Sequence, residues 1–263
     1  MGDNDRQHTD ISALTQRNLW DELRAHTSAR IALGRVGASL PTAAALQFGL
    51  AHAQARDAVH RPLAVDVLQR QLEAANFRVQ RVQSCAPDRH TYLLRPDLGR
   101  ALCDDDRARL NAQKNADIAV VIADGLSAFA IERQALPLLE TLREHFDTDW
   151  QTVPIVIAEQ GRVAIGDDIG AALRARLVIV LIGERPGLSS PDSLGIYLTF
   201  APRPGRMDSE RNCISNVRPE GLGYNAAAHK LAYLARQALR LQLTGVELKD
   251  DSEMKIIGGD SAG

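Results

Sequence analysis

The chain is poor in the features that most quickly betray a function. Aromatic residues make up only 4% of its 263 residues, so the aromatic-rich core of a β-sandwich is not expected. Cys85, Cys103 and Cys213 are the only cysteines, and no two stand in a CxxC pair. An odd, scattered set argues against a disulfide framework and fits a reducing cytoplasm. No apolar run approaches the roughly 20 residues that a membrane-spanning helix needs. The formal net charge is only −2, which gives no electrostatic footprint for nucleic acid or a membrane surface. The first ten residues, MGDNDRQHTD, are too polar for a secretory signal.

Familiar site motifs are missing as well. His26, His52, His60, His90, His145 and His229 lie far apart, and none forms HxxxH or HExxH, so no metal site is expected. Asp104, Asp105 and Asp106 lack the alternating ligands of a calcium loop. They read as acids in the first turn of a helix. Neither Ser127 nor Ser215 sits in GxSxG, and Cys213 has no adjacent histidine. From its residue type Cys213 fits a buried small apolar position as well as a functional one.

What is present is an alanine- and leucine-rich chain with 45% hydrophobic residues. That composition leans towards helix packing and α/β layers. An N-terminal, mostly helical region is expected to about residue 115. Asp10 or Ser12 can cap a first helix through Leu14, Leu19, Trp20 and Leu23. Pro41 can open a second, running to about Val59. A third is expected over Pro62 to Asn76, with Leu63, Val67, Leu68 and Leu72 at helical spacing. Phe77 to Val82 alternates like a half-buried strand, and Thr91 to Leu94 is its expected pairing partner. Arg95 to Arg100 then turns into a polar helix that ends near Lys114.

From about residue 116 to 245 the pattern becomes strand, helix, strand, helix, strand, strand, helix. This reads as a doubly wound α/β domain. Ile118–Ala123, Val153–Ala158 and Leu177–Ile182 are short β-branched runs suited to strands buried on both faces. Leu194–Phe200 is a further strand. Ser127 can cap a helix from Ala128 to about Phe146, Asp167–Leu173 is a short helix, and Asn225–Leu243 is the last. Residues 246–263 are expected to fray.

The corner after Leu177–Ile182 is Gly183-Glu184-Arg185-Pro186-Gly187. Ligands of open α/β sheets bind beyond the carboxyl ends of strands, so this corner is the first candidate site. It is not a nucleotide fingerprint. DGLSAF after Ile118–Ala123 has one glycine where GxGxxG needs three, and GERPG is not followed by GK[ST]. Glu184 either contacts a ligand or caps a nearby N–H or pairs with Arg185. The residues alone leave open a non-catalytic Rossmann-like regulatory module for another nucleotide. A self-sufficient small-molecule lyase or oxidoreductase is disfavoured by the missing nucleophile and glycine motifs.

Six stretches are more specific: LLRPDLGR (93–100), VVIADGLSAFAI (120–131), GRVAIGDDIG (161–170), VIVLIGERPGL (178–188), SPDSLGIYLTFAPR (190–203) and RNCISNVRPEG (211–221). In these the chain resembles the small (light) subunit of ethanolamine ammonia-lyase, from Leu23 to about Gly245. The resemblance implies a Rossmann-like fold and a hetero-oligomer with a large barrel subunit. It implies adenosylcobalamin between the subunits and radical conversion of ethanolamine to acetaldehyde and ammonia by the complex. Cobalamin contacts carry onto Val163, Glu184 and Cys213; Arg162, Arg185 and Asn216 are candidates beside them. The catalytic residues belong to the barrel, so this chain is expected to be inactive alone. DxHxxG, whose histidine replaces the cofactor's own base on cobalt in many cobalamin mutases, is absent: Asp88 and His90 stand in DRHTYL. The cofactor is therefore expected base-on. Some relatives carry a longer N-terminal extension that directs the complex into a bacterial microcompartment; only about ten polar residues precede the first expected helix here.

Overall fold

The computed structural model describes residues 20–27, 29–111 and 115–252. The expected helix through Leu14 and Leu19, the approach to Lys114 and the chain beyond Ser252 lie outside the described residues. Two compact units are present: Met1–Arg56 with Gly187–Ser189, and Asp57–Pro186 with Ser190–Gly263. The first holds a short 3-10 helix (Asp21–His26), a turn closed by a Val36–Ser39 bridge and most of helix α1 (Thr42–His60). Pro41 stands just before α1 and its carbonyl accepts from Ala45 N–H (3.1 Å). Within this unit Arg30 donates to the Leu188 carbonyl (3.1 Å), and its guanidinium lies over the Phe48 ring. Leu40, Leu46 and Leu50 are exposed.

The second unit is an α/β structure around one six-stranded mixed sheet, in the order β1-β3-β2-β4-β5-β6. The strands are β1 (Val79–Gln83), β2 (Ile118–Ala123), β3 (Ile155–Glu159), β4 (Leu177–Gly183), β5 (Leu194–Phe200) and β6 (Asn212–Val217). β1, β3, β2 and β4 are parallel, whereas β5 pairs antiparallel with β4, and β6 antiparallel with β5. The helices are α2 (Val65–Ala74), α3 (Arg89–Leu94), α4 (Asp104–Asn111), α5 (Ala128–His145), α6 (Ile165–Ala172) and α7 (Tyr224–Leu241).

Every residue of β2 and β4 is buried, because both faces of the sheet are covered. Alternate side chains feed two separate cores. Val120, Ile122, Ile179 and Leu181 pack with residues of α2, α5 and α7. Val121, Ala123, Val178 and Val180 pack with residues of α4 and α6. Each buried Ile, Leu or Val contributes roughly 1.5–3 kcal/mol over an exposed one.

Two expectations are corrected. Thr91–Leu94 is no strand: it lies in α3, because the Asp88 side chain caps that helix, accepting from Thr91 N–H (2.8 Å) and Thr91 Oγ–H (3.1 Å). The strand from the N-terminal half, β1, pairs instead with β3. A strand was also missed. It is β6, Asn212–Val217, whose period is hidden. Ile214 and Val217, three residues apart, both face the core that holds Leu194 and Ile196. A regular strand would send them to opposite faces. The register slips by one residue there: Leu194 pairs with Val217 and Ile196 with Ile214. Asn216 absorbs the extra residue at φ 58, a left-handed conformation that asparagine tolerates.

Ser127 does cap α5. Its hydroxyl accepts from Ala130 N–H (3.2 Å) and donates to the Pro191 carbonyl (2.8 Å). Ser127→Ala loses both bonds and should lower stability by about 1–2 kcal/mol, read from urea unfolding; an unchanged midpoint would refute this role.

Candidate functional site

A cavity of about 470 Å³ opens at the carboxyl ends of the central strands. Gly125 and Leu126 line it after β2, Arg162 and Val163 after β3, and Glu184 and Arg185 after β4. β2 and β3 are neighbours whose chains leave onto opposite faces, through α5 and α6. This is the switch point at which open α/β sheets bind ligands.

The wall is set by close backbone contact. Leu126 N–H donates to Gly183 O (2.9 Å). A Cβ on Gly183 would run into the carbonyls of Ser127 and Asp124, and one on Gly125, at φ +57, into Gly183 itself. Only glycines allow the turns after β2 and β4 to touch.

Behind that wall lies Asp124, fully buried. Its carboxylate accepts from Gly161 N–H (2.9 Å) and faces Arg89 Nη1 (3.3 Å). Burial pushes its pKa up to about 6, although Arg89 pulls the other way. Arg89 also ties α1 to the turn after β2, donating to the carbonyls of Val59 (2.7 Å) and Gly125 (2.9 Å). Tyr92, which lines the cavity, carries the guanidiniums of Arg89 and Arg162 over its ring, 4.7 and 4.5 Å from the centroid. Its hydroxyl donates to Gly161 O (3.3 Å). Burial, with the nearby Asp124 charge second, pushes the phenol up to about 12, so Tyr92 stays neutral and acts as a platform.

The helix after Val163 is fixed by buried charge pairs. Asp167 meets Arg211, both nearly inaccessible, and Arg211 also reaches Asp208 (3.0 Å). Asp168 meets Arg107 (2.8 Å) and accepts from Leu102 N–H (3.0 Å). Desolvation pushes Asp167 up to about 6 against the pull of Arg211. Removing one partner of the fully buried Asp167–Arg211 pair costs about 3–5 kcal/mol, because the other charge is stranded.

At the rim, the Glu184 carboxylate accepts from the Ser193 hydroxyl and from Asn216 N–H (3.2 Å). Glu184 thus lines the cavity and also caps a backbone N–H, while no pair with Arg185 forms. Gly195 leaves its space: a Cβ there would come within 3.1 Å of Glu184 Oε1. Tyr197 lines the cavity, and Cys213 is its register partner on β6. Cys213 is exposed, so the buried apolar role does not apply. Desolvation still pushes its thiol up, opposed by a hydrogen bond with Tyr197. Burial, then the neighbouring Cys213, raises Tyr197.

The match to known proteins spans these same segments. The family model for the ethanolamine ammonia-lyase light chain (EutC) matches residues 17–249. The chain belongs to that family. An ethanolamine ammonia-lyase small subunit of Azotobacter vinelandii is 56% identical over 261 residues, covering 97% of this chain and 96% of the relative. Small subunits of Xanthomonas campestris (55%; 94% and 93% covered) and Pseudomonas fluorescens (53%; 93% and 92% covered) are similar throughout.

Of the three residues expected from the resemblance, Val163 and Glu184 line the cavity directly. Cys213 is not among its lining residues and reaches it through Tyr197. Of the neighbouring candidates, Arg162 and Arg185 line it, and Asn216 acts through Glu184. Sequence reasoning missed Tyr92, Arg89 and Asp124. Asp124 was within reach: like Glu184, it is a carboxylate directly after a fully buried strand. Among the described residues no three His, Cys, Asp or Glu side chains converge as metal ligands, and no helix is long and apolar enough to cross a membrane.

Because Asp124 and Asp167 hold protons more tightly folded than unfolded (ordinary value 3.8), each contributes stability that is full below pH 3.8 and falls as pH rises through about 6. Asp124→Asn should flatten the unfolding free energy between pH 4 and 6.5, and carbon NMR should show its carboxyl titrating near 6. A midpoint below 4 would contradict this.

Proposed function

We propose that the chain is the small subunit of an adenosylcobalamin-dependent ethanolamine ammonia-lyase. It would bind cobalamin at the ends of β2, β3 and β4, against a large barrel subunit that carries the catalytic residues. The observation that carries this reading is the cavity itself. In a chain matching the family from residue 17 to 249, it is lined by both Val163 and Glu184.

The residues fit a corrin, a broad apolar ring fringed with amides. Ile182, Leu126 and Val163 offer apolar surface, and Glu184 and Tyr197 offer polar partners. Among the described residues Arg162 Nε is buried without a hydrogen-bond partner, a polar atom that an acceptor would satisfy. When bound, the cofactor supplies the radical chemistry that turns ethanolamine into acetaldehyde and ammonia. The work of this chain is to hold and orient. Glu184 accepts from amides, Val163 presents an apolar edge, and Cys213 supports the rim through Tyr197. The Rossmann-like reading of the sheet, with residues 116–245 as the cobalamin-binding part, belongs to this proposal. So does base-on binding: the Asp88 carboxylate is committed to Thr91 at the start of α3. Nitrogen coupling to cobalt from labelled protein imidazole would contradict it.

Ammonia release should require both subunits; turnover by this chain alone would refute the proposal. Glu184→Ala should weaken cobalamin binding to the complex by about 1–3 kcal/mol, roughly ten- to a hundredfold. Unchanged affinity, by titration of corrin absorbance, would remove Glu184 from the site.

A further inference from the structure

We propose that helix α1, with the turn before it, is the element by which this chain docks into a groove of the large subunit. The inference rests on the small-subunit reading and goes beyond it by naming the surface that makes the assembly.

The N-terminal unit has a long helix but no core of its own. Among its described residues only Ala51 is buried. Trp20, Leu40, Leu46, Phe48 and Leu50 are all exposed, Leu46 at 69% and Leu50 at 60%. Arg30 lies over the Phe48 ring and still leaves Phe48 48% exposed. From Val36 to Ala55 the sequence holds no Asp, Glu, Lys or Arg. A surface helix ordinarily carries a charged face opposite its apolar stripe. The first half of α1 has none. At about 100° per residue, Leu46 and Leu50 lie on one side of the helix and Phe48 on the other. A helix that is uncharged and apolar on more than one side has the composition of an interface core, where charged residues are depleted.

Gly49 is a second, separate sign. It stands in the interior of α1, where glycine is a poor helix former. A Cβ there would meet nothing within 4 Å, so no contact among the described residues requires its small size. A neighbouring molecule whose backbone comes close to the helix would require it.

The occupant follows from what must be covered. Residues 1–19 hold four large apolar side chains and residues 253–263 hold three, too few to enclose a helix of 19 residues. A lipid surface suits a helix with a basic polar face, and α1 has no Lys or Arg before Arg56. A second copy pairing helix to helix would join faces of about 28 by 10 Å, roughly 300 Å² each, against the roughly 800 Å² per partner of a standard interface. It would also cover one side of α1 and leave the other in water. A groove in a larger protein covers both, as in other helix-in-groove complexes. The family supplies that larger protein, because a small subunit implies a large one.

The full-length chain and its large subunit are mixed without cofactor, and their affinity is read by calorimetry. Leu46→Glu and Gly49→Gln should each weaken that affinity at least tenfold and should not lower the unfolding midpoint of the isolated chain. The glycine variant adds a side chain for which the free chain has room, so it decides the matter if Leu46→Glu fails to fold. Unchanged affinity in both variants would overturn the inference. So would a lower midpoint in both isolated variants, which would mean that this face packs against its own chain. A wild-type chain that dimerises by itself, with the dimer lost and the large-subunit affinity kept in both variants, would give the face to a second copy and overturn it too. A wild-type chain that does not join the large subunit at all would remove the hetero-oligomer from the proposed function, and this inference with it.

Discussion

One backbone contact governs the cavity: the turns after β2 and β4 meet at Leu126 N–H and Gly183 O with no side chain between them. β2 and β4 are parallel neighbours with every residue buried, so their ends emerge at one level. Because the turns touch, Asp124 and Glu184, each directly after its strand, stand on the two sides of a shared wall. One points inward to Arg89 and Gly161; the other looks onto the cavity. The apolar sheet sets the position of the polar site, and two missing Cβ atoms set its closeness.

Legibility from sequence followed the physics of each segment. β2, β4 and α5 could be read because their burial is simple: continuous β-branched runs, and a serine cap before a helical stripe. Glu184 could be read as a candidate from its place after such a run, and Val163, which also lines the cavity, only through resemblance to a family. Tyr92 and Arg89 could not be read. They lie on a short helix whose cap, Asp88, is a local signal, but whose contact with Arg162 spans 70 positions of sequence. β1 was found as a strand, but not its partner, because parallel pairing is long-range and leaves no mark in the strand itself. β6 stayed hidden because its apolar residues break the period of two.

The buried charges divide into two kinds. Asp167 with Arg211 and Asp168 with Arg107 are matched pairs that fix the helix behind Val163. Their value lies in specifying one position for that helix, since buried pairs add little net stability. Around the cavity, by contrast, positive charge exceeds negative.

The slip between β5 and β6 ties the length of the hairpin to its packing. Ile214 and Val217 reach the same core only because one extra residue, housed at Asn216, lies between them. Deleting that residue would turn one of the two away from the core. It would also withdraw the Asn216 N–H that steadies Glu184. This segment can therefore accept changes of side chain far more readily than insertions or deletions. Among homologous chains, an alignment gap between Cys213 and Val217 would mark a remodelled rim.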